Sequence, residues 1–312
     1  MKKLMFVAAV AAAMTGVCEV SSQNVVGYLN KSAENANNSS WLISTFQRVD
    51  GTTALLKDFV IVEDQAQNNV HLKILSKTGK IDVDTDKGLK KSFIYVNPKR
   101  PGVSSAGWIP GWYYGFQANG TTPVAATEFV KGEDSAYWAG DVEIPYGTGF
   151  GIERAAMAAT LIFNGQVASK DVNLSAPNAN NSSWLGNCMP VDLKLKDFAI
   201  VEDQAQNNVH LKLLSKTGKI DVDTDKGLKK SFIYVNPNRP GVSSAGWIPG
   251  WYYGFQANGT TPVAATEFVK GNKSDYWAGD VDIPAGTLFG VERAAAGATV
   301  NIPSPLVDHT SK

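Results

Sequence analysis

The sequence is poor in the residues that carry out chemistry. Only 2 of its 312 residues are cysteine and 3 are histidine, so a clustered His/Cys metal centre has little to draw on. A GxSxG nucleophile elbow is missing, and no His lies near Cys188 in sequence to mark a thiol nucleophile. Excess charge is missing too: 29 basic residues balance 29 acidic ones, which excludes the basic footprint of a nucleic-acid binder. The one long apolar run, Leu4 to about Met14, is shorter than the roughly 20 residues of a membrane-spanning helix. Long amphipathic helical patterns are absent as well, and TTALLKDF (Thr52 to Phe59) supplies a turn or two at most. With 44% hydrophobic and 19% charged residues, the chain is a packed globular protein of one large or two ordinary domains, neither disordered nor multi-spanning.

The first 22 residues read as a secretory signal peptide: Lys2 and Lys3, the short apolar run, then small and polar residues. Cleavage is expected between Glu19 and Gln23, leaving no transmembrane segment and a secreted, periplasmic or cell-surface product. Val17 is bulkier than the residue that normally precedes a lipidated cysteine, which argues against acylation of Cys18. Loss of Cys18 leaves Cys188 alone and makes an intramolecular disulfide impossible.

Internal repetition dominates what remains. The block starting at Lys57 returns at Lys196, an offset of 139, and from Lys57 to Gly132 only Val60/Ala199, Ile74/Leu213 and Lys99/Asn238 differ. Upstream, NANNSSWL recurs at Asn35 and Asn178, an offset of 143, so the second copy lacks four residues between Trp184 and Lys196. A period this long is a whole domain rather than a solenoid unit. The expected organisation is a leader at 1–22, β-domains at 23–164 and 165–303, and a tail at 304–312. Since the match points to recent duplication or homogenisation, agreement between the copies does not mark any residue as needed.

VHLKIL, KIDVDT and KSFIYV alternate apolar and polar residues and are separated by the turn sequences SKTG and DKG. They predict a three-stranded meander with Leu72 facing Val83 and Ile74 facing Ile81 on one side, and Lys73 facing Asp82 and His71 facing Asp84 on the other. Later segments are short, β-branched or aromatic, and punctuated by Gly, Pro and Asn. Each domain is therefore expected to be an antiparallel β-sandwich or barrel-like unit with little helix.

At IPYGTGFGIERAAMAATLIFNGQV, its copy IPAGTLFGVERAAAGATVNIP, and QNVVGYLNK near the start, the chain resembles a group of uncharacterised secreted bacterial β-rich proteins. Their mature chains open with NVVGY and their domains close with a Gly-Phe strand, an Arg and an apolar final strand. Gly149, Phe150, Arg154, Leu161 and Phe163 sit where that pattern expects them. The resemblance covers the start and end of each domain, not the VEDQAQNNVHLKIL block, and implies export and a compact β-domain with no catalytic residues attached.

Four constellations remain. Asp82, Asp84 and Asp86, repeated as Asp221, Asp223 and Asp225, look like a calcium loop, yet an EF-type loop counted from Asp82 finds Lys87 at its sixth place and Phe93 at its twelfth. An exposed strand face offset by Lys73, His71, Lys90 and Lys91 accounts for them. His71 and His210 read as solvated residues on the outward strand face. The aromatic set Trp108, Trp112, Tyr113, Tyr114 and Phe116 with Tyr137 and Trp138, repeated as Trp247, Trp251, Tyr252, Tyr253 and Phe255 with Tyr276 and Trp277, reads either as core or as rings that stack on sugars or anchor an interface. In the second case Gln117 and Asn119 would bond hydroxyls. Trp112, Tyr114 and Phe116 should point to one side and Tyr113 to a wet one. Glu63, Asp64 and Glu153 are available as paired carboxylates for hydrolysis, but duplicated acids would demand two active sites or one lost.

The sequence therefore predicts a non-enzymatic exported structural or adhesive protein with no cofactor. Glycan binding through exposed Trp and Tyr is the alternative, and a secreted hydrolase comes third. Self-association, with the NVVGYL segment as strand donor, or contact with cell-surface components is the expected partnership.

Overall fold

The computed structural model describes residues 26–33, 40–48, 52–61, 70–76, 79–97, 106–154, 159–177, 183–201, 209–214, 219–236, 246–293 and 297–307. Among these residues there is no α-helix: the elements are short strands and 3-10 turns. The first half contains β1 (Val26–Ala33), β2 (Ser40–Ile43), β3 (Ala54–Leu55), β4 (Val60–Ile61), β5 (Val70–Ile74) and β6 (Val83–Asp84). It continues with β7 (Leu89–Lys90), β8 (Ser92–Val96), β9 (Gly111–Tyr114), β10 (Glu143–Ile144), β11 (Gly149–Arg154) and β12 (Ala159–Gln166). The second half repeats the series as β13 (Val172–Ala176), β14 (Ser183–Gly186), β15 (Leu193–Lys194), β16 (Ala199–Ile200), β17 (Val209–Leu213) and β18 (Val222–Asp223). Its remaining strands are β19 (Leu228–Lys229), β20 (Ser231–Val235), β21 (Gly250–Tyr253), β22 (Asp282–Ile283), β23 (Leu288–Arg293) and β24 (Ala298–Ile302).

Each half is an antiparallel two-layer unit. In the first, a five-stranded sheet β2-β11-β5-β8-β9 lies against a three-stranded sheet β1-β12-β4; in the second, β14-β23-β17-β20-β21 lies against β13-β24-β16. Neither sheet closes into a barrel. Period-two alternation sets the layers: in β5, Val70, Leu72 and Ile74 are buried while His71 and Lys73 are half-buried. The core between the layers joins Ile61 and Leu161 to Leu72, Phe93, Trp112, Phe150 and Ile152. Phe59 meets Phe150 edge-on at 5.8 Å between ring centroids, a favourable aromatic geometry. Tandem all-β domains are thus what the duplication encodes. β12 runs on to Gln166, past residue 164, and Ser304 is tied back to the linker by its N–H to Asp171 Oδ1 at 3.0 Å and its hydroxyl to the Ala168 carbonyl at 2.6 Å.

The meander differs from its expected register. SKTG does close a turn, with the Ser76 N–H donating to the Lys80 carbonyl at 2.8 Å and Leu75 opposite Ile81. Pairing then stops. Val83–Asp84 pairs with Leu89–Lys90 in a small separate hairpin, and β5 takes β8 and β11 as neighbours, placing Leu72 between Phe93 and Ile152. A middle position would have buried the carboxylates of KIDVDT against packed strands, whereas SFIYV brings apolar side chains that gain from burial. The outward face of β9 is not wet either. Residues 115–139 fold back over it through 3-10 turns at Ala126–Glu128 and Gly132–Asp134, making a second small core of Val96, Tyr113, Val124 and Phe129.

The two halves touch through one face. β2 packs on β14 and β23, and β11 packs on β14, around a shared cluster of Ile43, Leu75 and Leu288 with Trp41, Trp184 and Leu214. The described part of NVVGYL, Val26 to Leu29, is already engaged within its own half: β1 pairs along its length with β12, Val26 opposite Gln166 and Leu29 opposite Phe163. The leader lies outside the described residues, and among those described no helix is long and apolar enough to cross a membrane.

Candidate functional site

The small hairpin β6–β7, like its counterpart β18–β19, lines a cleft in its half. Asp84 opens its turn as an Asx cap, with Oδ1 accepting from the backbone N–H of Asp86 at 3.0 Å and of Lys87 at 3.2 Å. Gly88 closes it at φ +65°, in open space, a left-handed conformation that glycine adopts without steric cost. Asp84 Oδ2 accepts from the Tyr114 hydroxyl. Lys87 then ties the turn to the covering loop, with Nζ donating to the carbonyls of Ala136 at 3.3 Å and Trp138 at 3.1 Å and lying 5.3 Å from the Tyr114 ring centroid. Between hairpin and loop lies a cleft of about 490 Å³ lined by Asp84, Asp86, Lys91, Glu133, Trp138 and Asp141. The second half forms the same cleft, about 470 Å³, from Asp223, Asp225, Lys230, Asn272, Trp277 and Asp280.

The charges of these clefts are held in place. Lys91 Nζ meets Asp82 Oδ2 at 2.8 Å, and Lys230 meets Asp221 at 2.9 Å. Asp141 accepts from Lys57 Nζ at 2.6 Å and from Trp138 Nε1 at 3.0 Å; the hydrogen bond from Lys57 pulls its carboxyl below the usual range against a smaller opposing effect of burial. At Asp84 partial burial pushes the pKa up, but the bonds from Tyr114, Lys87 and Asp86 together with Lys91 outweigh it and leave it lowered. Asp223 and Asp280 are lowered in the same way. These carboxyls are anions at neutral pH, the wrong state for the proton-donating partner of a glycosidase pair.

Of the aspartates singled out in sequence, Asp82 and Asp84, like Asp221 and Asp223, therefore serve a lysine, a turn and a tyrosine rather than an exposed strand face, while Asp86 and Asp225 are exposed in the turn. Among the described residues no group of three or more His, Cys, Asp or Glu is placed to hold a metal ion. His71 and His210 are half-buried rather than solvated strand residues. His71 sits on the central strand between Ile94 and Glu153, and His210 between Ile233 and Glu292. Burial, opposed by Glu292, lowers the His210 pKa.

Most of the aromatic set faces inward. Trp112, Tyr113 and Tyr114, and equally Trp251, Tyr252 and Tyr253, are at most 1% exposed. Their polar tips are satisfied internally: Trp112 Nε1 donates to the Phe59 carbonyl at 3.2 Å, Trp251 Nε1 to the Phe198 carbonyl at 2.9 Å, and Tyr113 OH to the Ile109 carbonyl at 3.0 Å. Rings in that state offer no face to a sugar. Trp108 and Trp247 are half-buried, packed edge-on against Phe129 and Phe268 at 5.1 Å. Asn119 is spent on its turn, with Oδ1 accepting from the N–H of Thr121 and Thr122 and Nδ2 donating to Thr122 Oγ1 at 2.7 Å. Gln117 reaches only the Pro123 carbonyl at 3.5 Å. Glu63 and Asp64 lie outside the described residues. Trp138 and Trp277, members of the aromatic set read from the sequence, are the ones that line the clefts; what that reading did not foresee is that they sit beside carboxylates. The spacing Trp138–Asp141, three residues with an indole N–H and a carboxylate, was the available signal.

Comparison with known proteins finds no match, whether to a described protein family, a curated protein or a solved structure.

Proposed function

We propose that the chain is an exported, non-enzymatic protein with a structural or adhesive role at the cell surface or beyond it. One observation carries this reading: the core indole and phenol tips and the cleft carboxylates Asp84 and Asp141 are engaged in internal bonds. Indole and phenol tips bond the protein's own backbone, and Asp84 and Asp141 are fixed as anions by Tyr114, Lys57 and Trp138. A catalytic proton donor needs a raised pKa, and the carboxyls of Asp84 and Asp141 are lowered instead. The test is a turnover screen on glycans, esters and peptides, run beside cell fractionation. No turnover, and a mature chain beginning between Glu19 and Gln23 in the extracytoplasmic fraction, is the expected result. Turnover abolished jointly by Asp141→Asn and Asp280→Asn would overturn the reading.

Glycan binding keeps one specific support, now in the clefts rather than on the strands. Trp138 and Trp277 line them half-buried beside carboxylates, the pairing of an apolar ring and hydroxyl acceptors that sugars engage. On a glycan array, retention lost in Asp86→Asn with Asp225→Asn, at unchanged Tm, would favour this second reading over the first.

A further inference from the structure

The face joining the halves is built from one patch used twice. Trp41 and Trp184 occupy equivalent places, as do Leu75 and Leu214, and all four pack in the same cluster. β2 against β23 is the counterpart of β11 against β14, while β2 meets its own counterpart β14. That is the pattern of a twofold, isologous contact, which closes on itself instead of propagating. At the axis a residue meets its own equivalent, and there the copies differ. A Cβ on Gly186 would lie 2.9 Å from Ile43 Cδ1, and a Cβ on Gly149 would lie 2.8 Å from Leu288 Cδ1. Within the first half Ile43 is the β-ladder partner of Gly149, and within the second Gly186 is the partner of Leu288. Large and small thus alternate around the axis, each large side chain seated on the other half's glycine. A third difference lies beside them: Tyr146, which has Ala285 as its equivalent, crosses to the second half and donates to the Cys188 carbonyl at 2.6 Å.

We infer that these exchanges make the face exclusive to the other half of the same chain and shut out a second copy. Two first halves meeting about this axis would set Ile43 against Ile43 and Gly149 against Gly149, a clash beside a void. Two second halves would do the reverse with Leu288 and Gly186. Only the unlike pair fills both positions, and specificity of this kind comes from penalising the wrong partner as much as from favouring the right one. The near-identical stretch from Lys57 to Gly132 and its copy contain none of these three pairs of positions. Self-association of the protein, where it occurs, uses another surface.

A double-mutant cycle on the full chain tests this. Gly149→Ala places a methyl against Leu288 and is expected to lower Tm in the wild-type background. In the Leu288→Ala background the same substitution is expected to leave Tm unchanged or raise it, because the space is vacated and alanine restricts the unfolded chain more than glycine. An equal fall in both backgrounds, or no fall in either, overturns the inference. Light scattering over a concentration series adds the second readout: Gly149→Ala leaves the molecular mass as in wild type at every concentration. A wild-type dimer that Gly149→Ala dissociates would overturn the proposal, since it would place a second copy on this face.

Discussion

The two halves share a fold and most of a sequence, yet they solve the corner after their second strand in different ways. In the first half Ser44 and Thr45 are buried, and among the described residues neither hydroxyl has a hydrogen-bond partner. The second half places Asn187 and Cys188 there. Asn187 Nδ2 donates to the carbonyls of Val191 and Ile283, both at 2.9 Å, and its Oδ1 accepts from the Met189 N–H at 3.0 Å. Cys188 asks for no partner, and burial pushes its thiol up to about 12. Four residues shorter in its connection to the next strand, the second half replaces two stranded hydroxyls with one saturated amide. Unpaired buried polar groups cost more than paired ones contribute, so the second half should be the more stable one.

Truncating the aromatic core should have the largest effect and the least power to tell the halves apart. Trp112→Ala and Trp251→Ala should each cost about 3–5 kcal/mol, read from denaturant curves. Half-specific opening can be followed at Cys188, inert to alkylation in the native state because its thiol is buried and protonated. Trp251→Ala should speed its modification more than Trp112→Ala does. Equal acceleration would mean that the halves open together.

Asn187→Ala should come next. It strands two carbonyls and one N–H, at roughly 3 kcal/mol if each costs about 1, and it should erase the second half's advantage. The opposite sign is expected from Ser44→Ala with Thr45→Val, which removes the unpaired hydroxyls and should raise stability by about 1 kcal/mol for each. Thermal melts of both variants break the comparison if the signs agree.

Tyr114→Phe and Tyr253→Phe should have the smallest effects, about 1 kcal/mol each, alike in the two halves because the hairpins are alike. Their signature lies in pH. The folded-state pKa of Asp84 is lowered, so its contribution is present above the ordinary carboxylate range and is lost as pH falls through the depressed value. The gap in Tm between wild type and Tyr114→Phe should therefore be widest near neutrality and close in acid. A gap independent of pH would show that the hydroxyl acts by packing rather than through the carboxylate.

Much of the fold was legible in the sequence. Period-two patterning in VHLKIL fixed which side chains of β5 face inward, and the repeat offset fixed two domains of one architecture, because alternation and duplication are properties of the chain itself. The order of strands in the sheet was not. KIDVDT and SFIYV alternate equally well, and only competition for a fully buried central place separates two aspartates from a Phe and a Val. The aromatic cluster was equally ambiguous, since a strand shows which rings share a side but not whether a later segment covers the other. Residues 115–139 decided that by folding over β9 and turning Tyr113 into core. Cleft and inter-half face lay further from reach. Their parts, Lys57 and Asp141, Ile43 and Gly186, stand 84 and 143 residues apart, and nothing local records that a glycine is small because an isoleucine from the other copy needs its space.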